Sequence, residues 1–406
     1  NWLRELENAE YRIQKMKHED VFIEMGRIAA RQFDLQRGYA NVPQFFRNAF
    51  VYGQGECAAY FERQYGLSLN RFSQIGFMLF VSFSNSPVVL NDASWAKLGV
   101  AKEEVEKVLA LIALPFSKAK GLAQKERKKI IHTADKPSVL RQAPCLRFGE
   151  NGERIRAPLP ELILERVTSG VFYDVVGGGG SIRDDYGRRF EEYCYQYLSN
   201  ALPGFVWDPE FSYRKKPNTF DTPDILCSEA GQLTIVFECK ATRMSHQAMF
   251  GKNPIEARGY EDLTKAVFQL WRFFSHCRRG YVNRSVADEA MGVVLTLDNW
   301  LVLGSTLRDS VLDGAEKMAI KKDPEITEAD RKPIIFVAIK ELERTLSTAT
   351  KASFKEAMQK SNSKELRGWR FDGIHRELQG DDKYEKRGYP FAKDLGKLLP
   401  WWDEIG

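Results

Sequence analysis

A chain of 406 residues is long enough for two or three domains, because single cores stop growing at roughly 250–300 residues. Its 43% hydrophobic content is ordinary for a globular protein, and no uninterrupted apolar run approaches the roughly 20 residues a bilayer span requires, so no membrane partner is expected. A net charge of +5 leans weakly toward polyanionic partners, while six cysteines without CxxC spacing exclude a zinc ribbon and a disulfide scaffold and point to the cytoplasm.

Residues 1–170 read as a mostly helical recognition or partner-binding region, a surface that could also serve self-association. Apolar residues recur at spacings of three and four in "YRIQKMKHEDVFIEMGRIAARQF" and "EEVEKVLALIALPF". The opening residues lack the basic start and apolar core of a secretion signal. "IGFMLFVSF" at 75–83 suits a strand or a buried helix, "KERKK" at 125–129 a solvated helix face, and "CLRFGENGERIRAPLP" a hairpin near 145–157. Proline and glycine then accumulate up to four consecutive glycines, Gly177–Gly180, which places a joint at 171–182. "VFYDVV" read as a strand before a Gly-rich loop would suit a phosphate cradle, but no GK[ST] ending follows.

From 183 to 406 the elements change character. "DYGRRFEEYCYQYLSNAL" puts Phe190, Cys194, Tyr197 and Leu198 on one helical face. "GFVWDPEFSYRKK", "PDILCS" and "QLTIVFECKA" read as a meander of three strands. A long helix is predicted near 256–278, followed by strands in "MGVVLTLDNWLVLG" and "PIIFVAIKEL" and a charged helical tail.

The third strand ends unusually. Alternation puts Glu238 and Lys240 on one face and Phe237, Cys239 and Ala241 on the other, so a carboxylate and an ammonium stand side by side at the end of an apolar run. Asp224, just after Pro223, starts the neighbouring strand, where pairing would bring it close to Glu238. Two carboxylates from adjacent strands suit a hard divalent ion, Mg²⁺ or Mn²⁺, and the lysine charge can orient a water or stabilise negative charge on phosphorus. Three other acid-x-Lys pairs, Glu126/Lys128, Asp330/Lys332 and Asp381/Lys383, lie in charged segments without an apolar strand. An edge strand with a surface ion pair would explain Glu238 and Lys240 but not Asp224 with them.

"PD", 13 residues, then "ECK" resembles the PD-(D/E)XK nuclease superfamily. The resemblance implies an α/β fold with a restriction-endonuclease-like core, α-β-β-β-α-β, its mixed central sheet flanked by helices, over 183–406 and following the helical amino-terminal region. "GRRFEEY" is similar to the family's first core helix and implies Glu191 in the metal shell, with Glu192 a solvated neighbour; "QLWRF" is similar to a Gln-x-x-x-Tyr motif, with Gln269 retained and Phe273 in place of the tyrosine. The implied function is metal-dependent hydrolysis of phosphodiester bonds in DNA, RNA being the lesser alternative, probably suited to microbial defence or restriction. Asp224, Glu238 and Glu191 would hold the metal, Lys240 would position the nucleophilic water and Gln269 would contact substrate. Arg214, Lys215, Lys216, Arg278 and Arg279 would hold the phosphate backbone. A catalytically silent nucleic-acid-binding or scaffolding subunit is the alternative. His246, His276, Cys239 and Asp221 read as structural.

Overall fold

The computed structural model describes residues 42–90, 95, 99–129, 138–245, 248, 256–299, 305–363, 365–366, 368–380 and 386–404. The helix expected within 11–33, His246, and the end of "LDNWLVLG" lie outside them. The protein is α/β with mixed sheets, in two units: 42–186 with 391–404, and 187–390, among the described residues. No helix in them is long and apolar enough to cross a membrane.

In the first unit, helices α1 (Val42–Tyr52), α2 (Gly55–Tyr65), α3 (Leu69–Asn85), α4 (Lys102–Ile112) and α5 (Phe116–Lys129) accompany a four-stranded sheet. The stretch at 75–83 is helical, inside α3, where Phe72, Ile75, Leu79 and Phe83 turn one apolar face inward. The sheet is built from β1 (Val89–Leu90), β2 (Ala113–Pro115), β3 (Cys145–Phe148) and β4 (Arg154–Arg156), the last two forming the expected hairpin. Short helices α6 (Glu161–Val167) and α7 (Val171–Val175) follow. The carboxy-terminal segment rejoins this unit, Phe391 stacking on Phe46 with centroids 5.0 Å apart and Trp401 donating to Ser73 Oγ at 3.3 Å.

The glycine run takes a form other than an open joint. "VFYDV" is helix α7, Val176–Gly178 make a 3-10 turn, and Gly179, at φ 101°, redirects the chain into helix α8 (Gly180–Ala201). The units divide further on, within α8, after Tyr186.

The second unit is organised by a five-stranded sheet in the order β11-β10-β9-β8-β5. Its strands are β5 (Val206–Pro209), β8 (Ile225–Glu229), β9 (Gln232–Lys240), β10 (Ser285–Thr296) and β11 (Ile334–Ala338). β5, β8 and β9 pair antiparallel, whereas β9, β10 and β11 run parallel. The run "GFVWDPEFSYRKK" is two strands, because Pro209 lacks the N–H that would continue the ladder. Its second half, β6 (Ser212–Lys215), pairs with β7 (Asn218–Asp221) as a separate hairpin.

Helix α9 (Arg258–Arg278) lies against β9 and β10 and buries Leu263, Ala266, Val267, Leu270, Phe273 and Phe274 in a core shared with Leu226, Val236 and Val294. Gly292 on β10 permits this approach: a Cβ there would stand 2.6 Å from Ile334 Cδ1 and 3.0 Å from Leu270 Cδ1. Gly292→Ala is therefore expected to destabilise the unit by about 1–3 kcal/mol, read from the urea unfolding midpoint. Helices α10 (Ser305–Lys322), α11 (Ile339–Leu346), α12 (Lys351–Lys360) and α13 (Phe371–Gln379) complete the unit, α11 beginning where "PIIFVAIKEL" stops being strand.

Candidate active site

Pro223 starts β8 and the antiparallel register fixes the rest. Ile225 pairs with Phe237 and Leu226 with Val236, so one further step sets Asp224 opposite Glu238. Their shared face is the one that carries Leu226 and Val236 against α9, which makes burying charge there costly unless each group finds a partner. Glu238 is only 3% exposed and accepts a hydrogen bond from Lys240 Nζ at 2.6 Å. Asp224 Oδ2 accepts from the Cys239 backbone N–H at 2.5 Å, which replaces a ladder bond where β8 has not yet begun. Asp224 Oδ1 and Glu238 Oε2 make no hydrogen bond among the described residues.

Helix α8 contributes Glu191, half-buried and electrostatically coupled to Glu238 and Lys240. Burial pushes its carboxyl up, Glu238 adds to this, and Lys240 and Arg188 oppose it. Burial, then Glu238 and Glu191, push Asp224 well above the usual carboxylate range. Burial of the Lys240 ammonium disfavours its charge, but Glu238 and Asp224 outweigh this and hold its pKa above the ordinary value. Lys240 is thus a fixed positive charge among three carboxyl groups.

The neighbouring residues separate clearly. Glu192 is exposed and bonded to Gln196 at 3.0 Å, a solvated helix carboxylate. Asp221 accepts from Ser212 Oγ at 2.6 Å across the β6–β7 hairpin. Cys239 is buried, its thiol pushed well up by burial and by Cys194. His276 is buried on α9, with Nδ1 2.7 Å from Tyr213 Oη, and burial together with the Arg279 and Lys215 charges lowers it to about 4; it ties the hairpin to the helix. Gln269 is half-buried on α9 and makes no hydrogen bond to Asp224, Glu238 or Lys240 among the described residues.

The basic residues divide into two kinds. Arg278 pairs with Asp330 at 2.7 Å and Arg279 with Asp323 at 3.0 Å, so their charge is already compensated within the fold. Lys215 lies 3.5 Å from Glu325 and over the Tyr281 ring. Arg214 and Lys216 are exposed at the hairpin.

Glu210 is the site neighbour that the sequence reading does not single out. It lies on the connection from β5 to β6, and burial followed by Asp221, Glu191 and Glu238 raises its pKa. Its own segment offers only "DPEF", in which nothing marks a carboxyl directed toward residues 14 to 28 positions away.

Among the described residues no group of three or more His, Cys, Asp or Glu side chains has the arrangement of a metal site. The opposed pair Asp224 and Glu238, each with one oxygen outside any hydrogen bond, nevertheless suits a hard ion such as Mg²⁺, which takes one or two carboxylates and leaves its other positions to water and substrate. Mutual repulsion among the carboxyl groups, expressed in the raised Asp224 and Glu191, is what a divalent cation would relieve. Compared with family models, with curated proteins and with solved structures, the chain matches none.

Proposed function

We propose that the unit formed by 187–390 is a metal-dependent nuclease that hydrolyses phosphodiester bonds in DNA. The observation that carries the reading is the register that sets Asp224 opposite Glu238 with Lys240 bonded to Glu238 at 2.6 Å. Support also comes from the order α8, β5, β8, β9, α9, β10, with antiparallel pairing giving way to parallel, which agrees with a restriction-endonuclease-like core.

Asp224 and Glu238 would hold Mg²⁺ or Mn²⁺, with Glu191 extending the shell through water. A bound ion of this kind supplies Lewis-acid polarisation of a phosphoryl oxygen and a more acidic bound water. Lys240, held cationic by its carboxylate neighbours, stabilises negative charge developing on phosphorus and orients the attacking water. Its raised pKa rules it out as the group that accepts the water's proton at neutral pH. Glu210 and Glu191, with raised pKa values and positions beside the pair, are the carboxyl groups suited to holding that proton. Gln269 remains the substrate contact that the resemblance implies. A role in microbial defence or restriction, with residues 1–170 recognising a partner or signal, belongs to the same proposal.

Phosphate contacts fall to Arg214 and Lys216 rather than to Arg278 and Arg279, whose partners are internal. Arg214→Ala with Lys216→Ala is expected to weaken DNA binding about equally across sequences and to lower the salt slope by about one per lost phosphate contact. Arg278→Ala is expected to leave that slope unchanged and to lower thermal stability instead. Filter binding in EDTA over a salt series, with melting curves alongside, checks both.

The reading is tested by incubating the protein with supercoiled plasmid, linear duplex and single-stranded DNA in Mg²⁺, Mn²⁺ or EDTA. New strand ends that EDTA suppresses support it. Intact DNA in every lane with folded, metal-supplied protein opposes it.

A further inference from the structure

A second concavity opens along the sheet edge that carries Lys240. β9, β10 and β11 are parallel and end level, Lys240, Thr296 and Ala338 being register partners. The segments that leave β10 and β11 bring Asn299 and Glu341 to an open cavity of about 420 Å³, lined also by Arg308, Phe336, Trp369 and Phe371. Parallel sheets characteristically receive ligands in the crevice outside the carboxyl ends of their strands, and this cavity lies there.

Its lining combines two chemistries. Glu341 is 2% exposed and Arg308 6%, so charged groups sit on a dry floor. Glu341 accepts from the Asn299 amide and, at 3.2 Å, from the Phe371 N–H. Burial pushes its carboxyl up to about 7 against the opposing charge of Arg370, so the donating acid and the accepting carboxylate are both populated at neutral pH. Around this floor are aromatic rings: Phe336, with the Arg308 guanidinium 5.9 Å from its centroid, and Trp369, which is 56% exposed. A tryptophan left that open beside a cavity is a stacking platform without a stack.

We propose that this cavity receives a nucleobase of the strand being cut, stacked on Trp369 with its polar edge toward Asn299 and Glu341. Flat apolar faces with a hydrogen-bonding rim are the chemistry that matches such a lining. The strand spacing puts β11 about 10 Å from β9, so the base lies roughly three stacked nucleotide steps from the phosphate at Lys240. The assignment rests on the nuclease reading, and adds to it a site where sequence or strandedness is read.

The experiment uses single-stranded and duplex oligonucleotides with one abasic nucleotide moved stepwise along the strand, each cut being mapped from fragment lengths. Wild type is expected to slow about tenfold when the gap falls at one position near the third nucleotide from the cut, the effect of losing one base stack. Trp369→Ala is expected to cut the intact strand about tenfold more slowly and to lose that position dependence, and Trp369→Phe to restore both. A Trp369→Ala protein that keeps the wild-type rate and the wild-type abasic profile overturns the base site while leaving the nuclease standing. If wild type cuts no oligonucleotide, the nuclease reading falls, and the base site with it.

Discussion

Replacing Lys240 by alanine is expected to lower metal-dependent cleavage about 10²- to 10³-fold, the loss typical of removing one preorganised charge from a site where negative charge develops. A second effect should accompany it. Glu238 is 3% exposed and its hydrogen bond comes from Lys240, so the variant leaves a buried carboxylate unpaired beside Asp224 and Glu191. Breaking a buried pair by removing one partner costs about 3–5 kcal/mol; because the Lys240 side chain is 23% exposed, a loss of about 2 kcal/mol is expected here. Saturating Mn²⁺ should restore most of that stability without restoring cleavage, since the cation can neutralise Glu238 but cannot take the lysine's place at the phosphate. Melting curves with and without Mn²⁺, beside the cleavage rate, separate the two losses. A variant that cuts as fast as wild type would remove Lys240 from the chemistry.

Asp224→Asn is expected to make the metal-free protein more stable while abolishing its activity. Burial and the adjacent carboxylates raise the folded-state pKa of Asp224 well above its unfolded value near 4. Between those two values the folded chain binds more protons than the unfolded one, so this group makes stability fall as pH rises through that window. Asparagine keeps an oxygen for the Cys239 N–H and removes the charge that Glu238 and Glu191 repel. In EDTA at pH 8 the variant should therefore exceed wild type by about 1–2 kcal/mol, an advantage that disappears at pH 4, where Asp224 is protonated. Paired urea titrations at the two pH values measure the difference. An asparagine variant less stable than wild type at pH 8 would mean that the Asp224 charge is not under strain.

The core of the site was legible because it depends on local rules. Period-two alternation fixed the shared face of Glu238 and Lys240, and Pro223 marked where β8 begins, so Asp224 could be expected near its mate. Glu191 and Glu192 were indistinguishable in the helical pattern alone; fold geometry separates them, one beside Lys240 and one in solvent with Gln196. What the sequence did not show were partners distant along the chain. Arg278 and Arg279 read as a basic patch, but Asp330 and Asp323 lie some fifty residues away and compensate them. The β-branched run Val171–Val176 could be read as a strand; with no neighbour to pair, it coils into α7 and a 3-10 turn, and the glycines that looked like a tether start α8. Pro209 broke one expected strand into two and created the connection on which Glu210 is carried to the site.

That Asp224 and Glu238 form one divalent-cation site is the claim on which the rest depends, and calorimetric titration of Mn²⁺ into wild type, Asp224→Asn and Glu238→Gln tests it most directly. Wild type should bind saturably, more tightly at pH 8 than at pH 5, with proton release from the raised carboxyl groups, and each variant at least tenfold more weakly. Equal binding by all three proteins, or no uptake by folded wild type, would contradict it.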